Sequence, residues 1–256
     1  MSSRARLLGL AVFAAGVAAV VFVFVPPLPQ PAWYHDFADQ RAFLGVPNFL
    51  DTASNLFFLA VGLAGLAALP RARFLDARER WPYAVFFGGL ILTAFASAWY
   101  HLAPVNAGLI WDRLAITVAM AGFFAALAQE RLGTKAGTIL LAGLLLAGPG
   151  AVLYWYGGEL AGAGDLRPYF LLQGLVMLFV PLLIALWRGR YDRGGDWLAA
   201  LGLYVLALAL EWLDDAIFTA TGVVSGHTLK HLAAAAAGAM VLHHLRRRRP
   251  LAADPL

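Results

Sequence analysis

The sequence contains no cysteine, and this absence limits the chemistry open to the chain. Without cysteine there is no disulfide framework, no thiolate metal ligand and no thiolate nucleophile. Any metal site must therefore be built from histidine and from oxygen ligands such as carboxylates or hydroxyls.

Charged residues are also scarce. They make up 13% of the 256 residues, whereas apolar residues make up 61%, and the mean hydropathy is +0.73. These values lie outside the usual range of a water-soluble domain. Several apolar runs reach about 18 residues, enough for a helix that rises about 1.5 Å per residue to cross a hydrocarbon core of about 30 Å. The composition therefore predicts a polytopic membrane protein.

The apolar runs are predicted to be helices. A membrane-spanning segment must satisfy its backbone hydrogen bonds internally, and these runs are too long and continuous for barrel strands. The predicted fold class is an all-α polytopic membrane protein of eight spans. We place the spans at residues 7–25, 49–70, 82–101, 109–128, 137–156, 168–187, 196–219 and 227–245.

The basic residues predict the orientation of the bundle. If all eight segments cross the membrane, 15 of the 19 lysines and arginines lie at connections on the side of the two termini. The positive-inside rule then places both termini in the cytoplasm. The net charge of +4 is explained in this way without a nucleic-acid partner.

The chain divides into three predicted parts: an N-terminal transmembrane helix (1–30), a seven-helix membrane domain (31–245) and a basic cytoplasmic tail (246–256). The first segment has an alternative interpretation as a signal peptide, because Arg4 and Arg6 precede its apolar stretch. Cleavage would leave seven spans with the same orientation.

Polar residues gather where three predicted spans reach the outer side. Ser97 and His101 end the third span, Asp112 opens the fourth, and His227 and His231 open the eighth. A single histidine at a membrane interface is more often a packing residue than a ligand. Two histidines at i, i+4, however, can hold one metal ion, and a third leaves a position for water. Imidazole ligands without thiolate favour zinc, while iron, copper and nickel remain open.

The other histidines are interpreted differently: His35 as a surface residue, and His243 and His244 as part of the solvated tail.

These residues also carry a family resemblance. In order and spacing they resemble the alkaline ceramidase family, within the wider group that includes the adiponectin and progestin receptors. The motifs are Asp51-Thr52-Ala53-Ser54-Asn55-Leu56, Ser97-x-x-x-His101 followed by Asp112, Trp212-x-x-Asp215-x-Ile217-Phe218, and His227-x-x-x-His231.

The resemblance implies a ceramidase-like core of seven transmembrane helices, to which the first span is an addition. It also implies zinc held by His101, His227 and His231, with Ser97 and Asp112 beside the site. The implied activity is hydrolysis of ceramide or a related N-acyl lipid to a long-chain base and a fatty acid. The alternative is a lipid-responsive receptor of the adiponectin-receptor type with a mainly structural zinc. A transport pathway is disfavoured because the polar residues cluster at one depth.

In this hypothesis Asp112 acts as general base and later acid, and Ser97 donates a hydrogen bond to the reacting group. Four further polar residues can either orient the ligand imidazoles or cap helices: Asp51, Asn55, Glu211 and Asp215.

Eukaryotic members of the family are similar in carrying a calcium cluster before the first core helix. The residues here, among them Asp36, Asp39 and Asn48, do not match that pattern, so we do not expect calcium. The excess of arginine over lysine, with abundant alanine, glycine and leucine, points to a GC-rich bacterial genome and hence to a bacterial cytoplasmic membrane.

Overall fold

The computed structural model describes residues 2–251, and nearly all of its regular structure is helical. Residues 252–256 of the predicted tail lie outside the described part. The helices are α1 (Ser3–Phe24), α2 (Phe49–Ser54), α3 (Leu56–Ala68), α4 (Arg80–Leu102), α5 (Asn106–Leu132), α6 (Thr134–Leu160), α7 (Arg167–Leu186), α8 (Gly195–Trp212), α9 (Asp214–Thr221) and α10 (Gly226–Arg247).

The helix lengths and compositions are those of a membrane protein. Within the described residues, seven segments are long and apolar enough to cross a membrane, and they correspond to the first seven predicted spans. The eighth, α10, has 22 residues but is less apolar, because it carries histidines, a lysine and arginines. The structure thus confirms a helical membrane protein, and the crossing by α10 stays a prediction.

Two spans that were predicted to be continuous are interrupted. The second breaks at Asn55, between α2 and α3, and the seventh breaks at Leu213, between α8 and α9. Asn55 Nδ2 donates to the Asp51 carbonyl over 2.9 Å. A short side-chain amide of this kind competes with the regular helical hydrogen bonds.

The connections between helices gather at two opposite ends of the bundle. At one end, the residues after α1 meet the connection before α7 and the one before α10: Leu28 N–H donates to Asp165, and Arg41 donates to the Val223 carbonyl. At the other, Arg190 N–H donates to the Glu130 carbonyl at the end of α5. We call these the histidine end and the arginine end. Successive spans therefore run in opposite directions, as alternate crossings require.

Small residues allow the central helices to approach closely. A Cβ atom on Gly122 of α5 would lie 2.3 Å from the Phe86 backbone nitrogen of α4, so glycine is required for this contact. Around the bundle, α6, α5, α4, α3, α10 and α8 pack in succession, and α7 contacts α5, α6 and α8. Helix α1 packs on α7 and has no buried residue, which fits an addition to a core of seven.

The arginine end contains a buried polar network, and its presence corrects the prediction of a solvated tail. Glu130 accepts hydrogen bonds from Tyr83 Oη (2.6 Å) and Trp197 Nε1 (3.2 Å), and Arg248 pairs with it. His244 Nε2 lies 3.2 Å from the same carboxylate. His244 and Arg248 are buried because a buried carboxylate needs charged and hydrogen-bonding partners. His243 is exposed and contacts Arg193.

Candidate metal centre

The three predicted histidine ligands meet at the histidine end of the bundle. His101 ends α4, while His227 and His231 lie one turn apart at the start of α10. The ring centroids are 4.9 to 5.0 Å apart in each pair. One nitrogen from each ring lies within 4.8 Å of the other two, and all three residues are buried. The site can therefore hold a metal ion such as zinc.

Local contacts fix the two helix ends that carry these rings. Ser225 caps α10 by accepting a hydrogen bond from Thr228 N–H over 3.0 Å. Asn48, in the left-handed conformation that asparagine tolerates, donates to the His101 carbonyl over 2.8 Å. The ring of Phe37 packs on His101 and His227, with centroid distances of 4.7 and 4.6 Å. These contacts thus hold the positions of His101 and His227 at the two helix ends.

The hydrogen bonding of His101 fits a metal ligand. Its side chain is fully buried, and neither ring nitrogen has a hydrogen-bond partner in the described part of the chain. A buried imidazole without a partner loses its interactions with water and gains nothing in return. Coordination of a cation by one of these nitrogens removes that penalty, so the donor set and its surroundings suit the implied zinc.

Ser54, which sequence analysis did not select as a site residue, fixes the orientation of His231. Its Oγ lies 2.9 Å from the Asp51 carbonyl and 2.7 Å from His231 Nδ1. A hydroxyl has one proton, and the carbonyl can only accept it. Ser54 therefore accepts from Nδ1–H of His231, which leaves the Nε2 lone pair free for a metal.

Asp112 and Ser97 lie together in the cavity that adjoins the histidines. Both side chains are buried, and they are close enough to interact. Asp112 Oδ1 has no hydrogen-bond partner within the described residues. The structure thus places an available carboxylate oxygen in the same cavity as His227 and His231.

The four additional predicted residues have other partners. Asp51 Oδ1 accepts from the hydroxyls of Ser225 and Thr228 and so anchors the first turn of α10. Asn55 bonds to backbone carbonyls of its own helix. Glu211 pairs with Lys230, and Asp215 is exposed.

Asp214, the neighbour of Asp215, makes the contact that orients the site. It accepts hydrogen bonds from His227 N–H (2.7 Å) and from Ala38 N–H (3.1 Å). It thereby joins α9, α10 and the segment that carries Phe37. Spacing alone did not distinguish the two aspartates, because the break at Leu213 changes the face on which each one lies.

His35 is not a surface residue, which corrects that interpretation. Its Nδ1 lies 2.8 Å from Tyr100 Oη and its Nε2 lies 3.0 Å from Asn106 Oδ1. The structure thus uses His35 to join the segment before α2 to α4 and α5.

The acidic residues of the first connection have separate roles. Asp39 is buried and pairs with Arg41 over 2.7 Å. Hydrogen bonds from Arg41 lower the pKa of Asp39 from its usual value. Asp36 is exposed.

A cavity of about 1220 Å³ extends from the histidines into the bundle. Its upper wall is polar, and its deeper wall is formed by apolar side chains from five helices. These include Phe86, Leu90, Met120, Met177, Leu201 and Ala234. A ligand with a polar group and a long apolar chain matches this distribution.

Comparison with protein-family models, with curated proteins and with solved structures finds no match to this chain.

Proposed function

We propose that the chain is a zinc-dependent amide hydrolase of the membrane, acting on ceramide or a related N-acyl lipid. The observation that supports the proposal is the buried cluster of three histidines, two of which, His227 and His231, line a largely apolar cavity together with Asp112. Among the described residues, Asp112 Oδ1 has no hydrogen-bond partner. The resemblance to alkaline ceramidases points to the same chemistry.

Within this proposal each residue has a defined task. His101, His227 and His231 hold the zinc, which when bound supplies Lewis-acid activation of water and of a carbonyl group. Asp112 accepts a proton from the attacking water and delivers it to the leaving amine. Ser97 orients the Asp112 carboxylate by its position beside it. The apolar part of the cavity holds the acyl chain.

The orientation belongs to the same proposal. Fifteen basic residues lie on the side of the termini, so the histidine end faces outward. In a bacterium, the membrane that holds the protein is the cytoplasmic membrane. The substrate then comes from the outer leaflet.

The test compares two variants with matched controls. Asp112→Asn should keep zinc and lower turnover by about 100- to 10,000-fold, the usual contribution of a general acid–base group. His231→Ala should lose both zinc and turnover. Asp76→Asn, at a half-buried position, and His243→Ala, at an exposed one, both lie at the arginine end and should leave zinc and turnover unchanged. The measurements are metal analysis of the purified protein and mass spectrometry of fluorescent ceramide and other N-acyl lipids after incubation. Normal turnover in Asp112→Asn would overturn the proposal.

A further inference from the structure

Arg113 is a buried cation with an unusual environment. It follows Asp112 on α5 and is 4% exposed. Its guanidinium carbon lies 4.2 Å from the centroid of the Trp155 ring, 5.2 Å from that of Tyr169 and 5.7 Å from that of Tyr34. The aromatic faces attract the positive charge and exclude water from it. They do not, however, accept its hydrogen bonds in the directions that a carboxylate would.

The hydrogen bonds of the Arg113 guanidinium are incomplete. Nη2 donates to Gln30 Oε1 over 2.6 Å, while Nη1 is buried and has no partner among residues 2–251. The other buried arginine of the described chain, Arg248, pairs with the carboxylate of Glu130. Arginine prefers two parallel hydrogen bonds to an anion. Arg113 therefore lacks the group that usually completes such a site.

The neighbouring acidic and phenolic groups do not supply that anion. Glu211 pairs with Lys230 and also accepts from Tyr34 Oη over 3.1 Å. Burial raises the pKa of Tyr34 well above its usual range, so the phenol stays neutral. Asp112 is the preceding residue on the helix, and consecutive side chains point about 100° apart. Among the described residues, Arg113 Nη1 is therefore left without a hydrogen-bond acceptor.

Arg113 is also placed to reach a ligand, because it lines the same cavity as Asp112 and His227. A ligand that contacts Arg113 can therefore place a second group beside the histidines. The ligand then needs an anionic group a short distance from the bond that reacts, and an apolar chain for the deeper cavity. An amino acid acylated on its nitrogen has this arrangement, because its carboxylate lies next to the amide. Ceramide has no charge at that position.

We propose that Arg113 binds the carboxylate of an N-acyl amino acid, and that such lipids are preferred over uncharged amides. This inference rests on the proposed amide hydrolysis and narrows its substrate class. In the reaction, water adds to the amide carbonyl, the carbon–nitrogen bond breaks, and the nitrogen takes a proton. The products are a fatty acid and a free amino acid, whose carboxylate remains on Arg113 until it leaves.

Equilibrium binding tests the site without relying on turnover. Full-length protein in lipid nanodiscs is titrated with N-oleoylglycine and with N-oleoylethanolamine, in which a hydroxymethyl group replaces the carboxylate. A chelator is present so that neither lipid is consumed. Wild type should bind N-oleoylglycine at least about tenfold more tightly than N-oleoylethanolamine, as expected for hydrogen bonds to a charged group. Equal affinities in wild type would overturn the proposal, and this comparison does not depend on the folding of any variant.

Substitution of Arg113 then tests whether this residue causes the preference for N-oleoylglycine. Arg113→Gln should lose the preference while binding N-oleoylethanolamine as wild type does. Arg41→Gln removes the same charge from the histidine end at a largely exposed side chain paired with Asp39, and it should keep the preference. A preference that survives in Arg113→Gln would assign the carboxylate to another group and overturn the proposal.

Turnover with zinc, measured separately, distinguishes the two proposals. Tight Arg113-dependent binding of N-oleoylglycine without hydrolysis would overturn the hydrolase function and support the carboxylate site. Hydrolysis of both lipids at equal rates, with equal affinities, would support the hydrolase and overturn the role of Arg113.

Discussion

At the scale of single residues, one hydroxyl group decides which nitrogen of His231 is free. The proton of Ser54 is directed to the Asp51 carbonyl, so the serine oxygen accepts from Nδ1–H of His231. The ring of His101 has no comparable hydrogen bond among the described residues. Ser54 is therefore the group that orients a ligand ring without contacting the metal.

Replacement of Ser54 by alanine should weaken zinc binding by about 10- to 100-fold, as is typical when the partner of a ligand histidine is removed. The ring of His231 then rotates more freely and its tautomer is no longer fixed. Zinc affinity is measured by competition with a chromogenic chelator. Thr52→Ala is the matched control, because Thr52 lies on the same short helix and bonds to the Pro47 carbonyl. Equal loss in both variants would mean that helix α2, and not the Ser54 contact, supports the site.

The difference between the ligands and Ser54 shows what could be predicted from sequence. His227 and His231 were predictable because i, i+4 spacing is local, and His101 because it ends a neighbouring span at the same side. Ser54 contacts a histidine 177 residues away, and Glu130 contacts His244 across 114 residues. Such pairs depend on how the helices pack, and no spacing in the sequence reveals them.

At the scale of the elements, the break between α8 and α9 shapes the site. The first turn of α10 packs directly against this break. Gly226 allows this close contact because it has no side chain. A Cβ atom at Gly226 would lie 2.2 Å from the Leu210 carbonyl oxygen and 2.7 Å from Asp214 Cα. Since these are backbone atoms, a side chain there could be accommodated only by a shift of α10. The continuous apolar run of residues 196–219 predicted one helix and gave no sign of the break at Leu213.

We therefore expect Gly226→Ala to displace the first turn of α10 and with it His227 and His231. Overpacking of this kind costs about 1–3 kcal/mol, and zinc affinity should fall together with stability. The measurements are thermal unfolding in detergent and zinc titration. Gly143→Ala on α6 is the control, because a Cβ there meets no atom within 4 Å. Unchanged zinc affinity in Gly226→Ala would show that the close contact is not needed to place the ligands.

At the scale of the whole molecule, the two ends of the bundle differ in chemistry. The histidine end holds the candidate metal centre and the polar mouth of the cavity, whereas the arginine end holds the Glu130 network and most basic residues. The number of apolar runs and the distribution of charge predicted that the three histidines and most basic residues lie at opposite ends, but they did not predict the Glu130 network. The burial of His244 and Arg248 was not predictable in the same way, because basic residues after a span also occur in solvated tails.

The orientation, and the crossing of the membrane by α10, can be tested with single cysteines, because the chain has none of its own. Three exposed positions are suitable: Val223 before α10, Leu251 after it, and Arg78 at the arginine end. In bacterial spheroplasts, a membrane-impermeant maleimide should label Val223→Cys directly. Leu251→Cys and Arg78→Cys should react only after lysis, since the positive-inside rule places the arginine end in the cytoplasm. Labelling of both Val223→Cys and Leu251→Cys before lysis would mean that α10 does not cross the membrane. The reverse pattern at all three positions would mean that the bundle is inverted, and that the cavity receives its lipid from the inner leaflet.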